Sequence, residues 1–106
     1  MSKFGNVKTD GYHSKKEAKR AQELRAMLAA GEISDLREQV KFELIPTQRD
    51  TEDKLLERSC NYVADFVYKD KWGLEVVEDC KGFRTETYNL KRKLMLHKLG
   101  IRILET

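Results

Sequence analysis

Asp65 lies inside the apolar run Tyr62-Val63-Ala64-Asp65-Phe66-Val67-Tyr68, and Asp79-Cys80-Lys81 closes a second run, Leu74-Glu75-Val76-Val77-Glu78. Carboxylates in apolar surroundings are costly unless something offsets their charge. A divalent cation does so: Mg²⁺ is usually held by one or two carboxylates, with its other positions left to water and substrate phosphate. Lys81 is two residues beyond Asp79, so it falls on the same side of a strand. There it can orient a water or neutralise charge developing on a phosphoryl oxygen. The chemistry these residue types suit is hydrolysis at a phosphate centre. The competing reading puts Asp65 and Asp79 at solvated strand ends, with Lys81 as an ordinary salt-bridge partner.

Asn61–Lys69 and Leu74–Lys81 read as two strands of a hairpin around Asp70-Lys71-Trp72-Gly73. A three-residue loop of Lys71, Trp72 and left-handed Gly73 pairs Asp70 with Leu74 and therefore sets Asp65 opposite Asp79. Opposed residues share a face with Cβ atoms about 4.5–5.5 Å apart, and like charges there repel. Glu78 and Cys80 take the other face, in structural roles. Trp72, at the hairpin tip, can touch DNA or a partner, or simply be an exposed turn residue.

The remaining elements follow from caps and periodicity. Ser14 suits a helix N-cap, Ala18, Ala21, Leu24 and Leu28 recur at helical spacing, and Gly31 stops the helix. Gln39–Ile45 alternates as a half-buried strand and ends at Pro46, and the polar stretch Thr47–Ser59 reads as a flexible loop. Thr85 caps a second helix with Leu90 and Leu94 inward, and His97 aligns with them as a packed, hydrogen-bonded side chain. Gly100 releases it into a last strand, Ile101–Leu104. Apolar residues on both hairpin faces imply a sheet covered on each side, hence a single α/β domain with αβββαβ order. Residues 1–12 read as a polar, flexible segment ahead of a domain over 13–106.

A chain of 106 residues buries one core. No apolar run suits a signal peptide or a membrane span, which points to the cytoplasm. Cys60 and Cys80 lack zinc-site spacing and read as reduced, mostly buried thiols. Residues 1–20 hold six basic and two acidic side chains, residues 83–106 the same, and the middle nine basic against fourteen acidic. Basic ends around an acidic centre suit a phosphate-attracting groove with a local cation site, and equally suit solvated helix faces.

Asp65 followed by Asp79-Cys80-Lys81 on a hairpin, behind a helix carrying Glu17, resembles the PD-(D/E)XK nuclease superfamily, whose core order is αβββαβ. The blocks Ser14–Arg20, Gly31–Leu44, Tyr62–Tyr68 and Val76–Leu94 are similar to a family of small nuclease-like proteins carried by phages and prophages. Two positions depart from the superfamily pattern: Ala64 stands where proline often precedes the first acid, and Asp79 where many members use Glu. The resemblance implies a restriction-endonuclease-like fold and metal-dependent phosphodiester hydrolysis. It assigns Asp65, Asp79 and the main-chain carbonyl of Cys80 to Mg²⁺, with Mn²⁺ as substitute, and Lys81 to the attacking water. Glu17 would complete the metal site, although Ser14-Lys15-Lys16-Glu17 is also a capping box in which Glu17 serves the helix start. Lys15, Lys16, Lys41, Arg84, Tyr88 and Lys91 are the implied DNA contacts. For Lys41 an exposed strand face, and for Tyr88 and Lys91 an amphipathic helix surface, are the alternatives.

The expected function is a Mg²⁺-dependent DNA endonuclease, structure-selective for branched DNA or Holliday junctions in phage recombination, replication or packaging. So small a domain has little room for base-reading elements. A homodimer fits because cutting two strands takes two symmetric sites. The alternatives are a non-catalytic nucleic-acid-binding or assembly module, and a nuclease subunit active only with a partner.

Overall fold

The computed structural model describes residues 14–106, so the segment 1–12 and His13 lie outside the described residues. Ser14 caps helix α1 (Lys15–Ala29), its hydroxyl accepting the Glu17 N–H at 3.1 Å, and Gly31 follows in a left-handed conformation. Strand β1 (Ser34–Ile45) starts five residues earlier than the alternating pattern suggests. Asp35 and Gln39, neither a glycine, both have positive φ within it, and such kinks leave no composition signal.

The stretch expected to be a loop, Thr47–Ser59, instead holds a small two-stranded sheet of β2 (Gln48–Arg49) and β3 (Leu55–Glu57). Its turn is organised by Asp50, whose Oδ1 accepts from the N–H groups of Glu52 and Lys54. A local Asx cap replaces the apolar alternation that would have revealed the strands. Strands β4 (Cys60–Lys69) and β5 (Glu75–Asp79) form the hairpin. Gly73 is left-handed and the Asp70 N–H donates to the Leu74 carbonyl, so the turn pairs Val67 with Val77 and Phe66 with Glu78, the register derived from the loop. Thr85 caps helix α2 (Glu86–Leu99), left-handed Gly100 ends it, and β6 (Leu104–Glu105) adds parallel to β5.

The main sheet has the order β1-β4-β5-β6 and is mixed, flanked by the two helices in a single α/β domain. One core packs α2 through Tyr88 and Met95 against Tyr62, Ala64, Val67 and Val77, and the other packs Ala18, Ala21 and Leu24 of α1 against Phe66 and Tyr68. The face assignment changes along the strands. Val40 and Phe42 belong to the α2-side core, whereas Leu36, also even-numbered, belongs to the α1-side core. Gln39 lies between them, and on β4 the same change falls between Ala64 and Phe66, at Asp65.

Helix α2 is rotated from its expected seating. Its buried residues are Tyr88 and Met95, Leu94 is only partly buried, and Leu90 (59 % exposed) and His97 face solvent. The expectation of a packed His97 is therefore corrected: Tyr88 supplies more burial than Leu90 and turns the helix about its axis. Leu28 is also exposed, while its neighbour Met27 packs against the α1-side core. Both cysteines are free and only half-buried. Among the described residues no helix is long and apolar enough to cross a membrane.

Candidate active site

Asp79 ends β5 and is 3 % exposed, which removes the solvated-strand-end reading for this residue. Its Oδ2 accepts the Tyr62 hydroxyl at 2.5 Å, and its Oδ1 lies 3.0 Å from the Lys81 ammonium. Tyr62 is held from both sides, stacked with Phe42 and tilted against Tyr88, each at 6.4 Å between ring centroids. Burial and the bond to Asp79 push the Tyr62 hydroxyl far up from its ordinary value, so it stays a donor. The Lys81 ammonium also sits 4.1 Å from the centroid of the Tyr88 ring, a cation–π contact that fixes its reach.

Asp65 occupies the position opposite Asp79, but the backbone ladder stops one pair earlier, at Phe66 and Glu78. The Cys80 N–H is given to Asp65 Oδ2 at 2.9 Å. The other oxygen faces Gln39, whose Nε2 donates to Glu17 Oε2 at 3.0 Å and reaches Asp65 Oδ1 at 3.4 Å. Gln39 thus joins helix α1 to β4, from a backbone conformation that few side-chain-bearing residues adopt. Sequence reasoning placed Gln39 only at the start of a strand and gave it no role. Burial, with the charges of Asp79 and Glu17 nearby, pushes the Asp65 carboxyl up to about 6 against the opposing pull of the Cys80 N–H.

The expected residues are brought together unevenly. Glu17, Asp65, Asp79 and Lys81 share one locality, and Lys16 joins them by donating to the Lys81 carbonyl at 2.8 Å. Glu17 is 5 % exposed on α1, with its backbone in the cap and its carboxylate turned to Gln39. Tyr88 is buried rather than presented to solvent, and its hydroxyl donates to Glu105 at 2.6 Å. Arg84 pairs with the same Glu105. Lys15 and Lys41 are exposed, Lys41 opposite Val63 on β4, and Lys91 is half-buried. The Cys80 thiol contacts the Thr106 hydroxyl at 3.2 Å, and burial raises its pKa.

Two features escaped sequence reasoning. Glu78 is 0 % exposed and is gripped by Arg20 through Nε at 2.9 Å and Nη2 at 2.8 Å, with the Tyr68 hydroxyl as a further donor. Glu105 gathers Tyr88, Arg84 and Arg92 beside Asp79, its Cα partner across the parallel β5–β6 pair. Hydrogen bonding from Tyr88 holds its carboxyl below the ordinary value. Neither partnership has a signal in local spacing.

Among the described residues no group of three or more His, Cys, Asp or Glu side chains converges as a ready metal cage. Asp65 and Asp79 nevertheless fit a hard ion that takes one or two carboxylates and keeps its waters. Burial first, and then the charges of Asp79 and Glu17, raise the Asp65 carboxyl, and a cation there would offset both. Each carboxylate oxygen retains acceptor capacity beyond the bond it makes here.

The chain belongs to the family described as Protein of unknown function (DUF1064), which matches residues 1–102. No curated protein and no solved structure matches it.

Proposed function

We propose that the protein is a metal-dependent DNA endonuclease of the PD-(D/E)XK type, with Asp65, Asp79 and Lys81 at its centre. The observation that carries this reading is the approach of half-buried Asp65 to buried Asp79, beside a lysine held by Tyr88. The order of helix, three main-sheet strands, helix and strand supports it.

Asp65 and Asp79 would hold Mg²⁺ or Mn²⁺, with the Cys80 carbonyl beside them and Glu17 on the α1 side. The chemistry such an ion supplies when bound is polarisation of a phosphoryl oxygen and a lowered pKa for its water. Tyr62 fixes the orientation of Asp79, and Gln39 fixes Asp65 relative to Glu17. Lys81, held on Asp79 at 3.0 Å, would turn toward the substrate phosphate. There its ammonium stabilises negative charge on the reacting oxygens.

Branched phage DNA as substrate, and a homodimer that sets two sites by symmetry, remain part of this proposal. A second reading, a nucleic-acid-binding module or a subunit activated by a partner, draws on the Lys81–Asp79 pair, since a lysine already neutralises that acid. The test is incubation of labelled linear, flapped and four-way DNAs with the wild type and Asp79→Asn, in Mg²⁺ or EDTA. We expect Mg²⁺-dependent cutting that falls by at least about 10²-fold in the variant. Equal cutting by both would refute the site. No cutting, with no Mg²⁺-dependent change in thermal midpoint, would favour the binding module.

A further inference from the structure

Beyond β5, the α2–β6 side of the molecule carries a cavity of about 410 Å³ lined by Arg84, Arg92, Lys93 and Arg102 around the single carboxylate of Glu105. Four cations facing one acid leave a local excess of positive charge. Glu105 engages Arg84 and Arg92, and among the described residues Lys93 and Arg102 have no acidic partner. Guanidinium groups carry five N–H donors in a planar fork, so Arg84 and Arg92 keep donors beyond those given to Glu105. Leu96 and Ile101 add an aliphatic wall to the same cavity.

We propose that this cavity is a phosphate subsite that holds one nucleotide of a nucleic-acid strand, next to the reacting phosphodiester. It rests on the nucleic-acid reading above and deepens it. The forks match phosphate oxygens bidentately, and the aliphatic wall suits the sugar or the base edge. Position supports the assignment. Glu105 is paired with Asp79 in the parallel ladder, so the cavity begins about one strand spacing, ~4.8 Å, from the candidate centre. Tyr88 spans the two places, with its hydroxyl on Glu105 and its ring against the Lys81 ammonium. A strand laid from Lys81 toward Arg102 meets positive charge along this path.

The test is binding of a short labelled single-stranded oligothymidylate in EDTA, across a salt series, to three proteins: wild type, the Lys93→Gln/Arg102→Gln double variant and a charge-matched control, Lys69→Gln/Lys71→Gln. Both altered pairs are mainly surface residues, and thermal midpoints check that each variant is folded. The cavity double is expected to bind about tenfold more weakly and to lower the salt slope by about 1.4, while the control changes by less than about twofold. A cavity double no weaker than the control would overturn the proposal. If no form cuts DNA and the cavity double still binds more weakly, the nuclease reading falls and the nucleotide site stands. If wild type cuts and the cavity double binds and cuts as well as it does, the reverse holds.

Discussion

Glu78 and Asp79 are neighbours on β5, both sealed from solvent, and their surroundings differ in kind. Glu78 faces α1 and is met by a bidentate guanidinium and a phenol, which raises the pKa of Arg20 chiefly through the bond to Glu78. Its charge is matched where it sits. Asp79 faces α2 and shares its locality with Asp65 and Glu17. Lys81 contacts Asp79, and among the described residues no ammonium or guanidinium contacts Asp65. The first arrangement is a closed ion pair that holds helix to sheet. In the second, Asp65 and Asp79 lie together and, among the described residues, have one contacting cation, Lys81, between them, and such imbalance marks sites that take up charge from outside.

Replacing Glu78 by Gln breaks the comparison on its stable side. Removing one partner of a buried pair costs about 3–5 kcal/mol, and the partial exposure of Arg20 places this case near about 3 kcal/mol. Urea unfolding should show that loss, while cutting by the folded fraction stays at the wild-type level. Tyr62→Phe acts on the other side. It strips the hydroxyl donor from Asp79 Oδ2, and a lost bond to a buried charged group costs about 1.5–3 kcal/mol. Here cutting should fall together with stability, because Asp79 loses its orientation. Unchanged cutting in Tyr62→Phe would make Asp79 as purely structural as Glu78.

The register as far as the Phe66–Glu78 pair, next to Asp65 and Asp79, was legible because Gly73 admits the left-handed turn and so fixes the hairpin loop. Both helix starts were legible through Ser14 and Thr85, whose hydroxyls make the expected cap bonds. What escaped were relations that local periodicity does not encode. The kink at Gln39 switches strand faces without a glycine to announce it. The seating of α2 was misjudged because leucines occur around much of the helix, and Tyr88 with Met95 won the buried stripe. The capture of Glu78 by Arg20 joins residues 58 positions apart, a distance over which sequence spacing says nothing.

Asp65→Asn sharpens the contrast by changing the sign of the stability effect. The folded pKa of Asp65 is raised to about 6. The folded state therefore binds more protons than the unfolded one between about pH 4 and pH 6, and this residue costs stability increasingly as pH rises through that window. Above about pH 6 the cost is complete. After discounting for solvent screening it is on the order of 1 kcal/mol. In EDTA at pH 7.5 the variant should melt a few degrees above wild type, with the gain shrinking toward pH 4 and absent below it. With Mg²⁺ present, wild type alone should recover stability. A variant gain that is constant with pH would show that Asp65 is not strained by its neighbours.

Glu17→Gln should have the smallest effect on stability and separates the two roles this residue was given. Glutamine is accepted at the third position of a capping box, and its amide oxygen can take the Gln39 N–H that Glu17 Oε2 accepts at 3.0 Å. The cap bond to Ser14 runs through the backbone of residue 17 and does not depend on its side chain. The thermal midpoint should therefore move by less than about 1 kcal/mol in equivalent stability. An amide is a poor ligand for a hard cation and carries no charge to balance one. If Glu17 belongs to the metal site, Mg²⁺-dependent cutting is lost while the fold is kept, and the Mg²⁺ concentration needed to raise the midpoint increases. Full activity in Glu17→Gln would leave this acid to the helix start and confine the site to Asp65, Asp79 and Lys81.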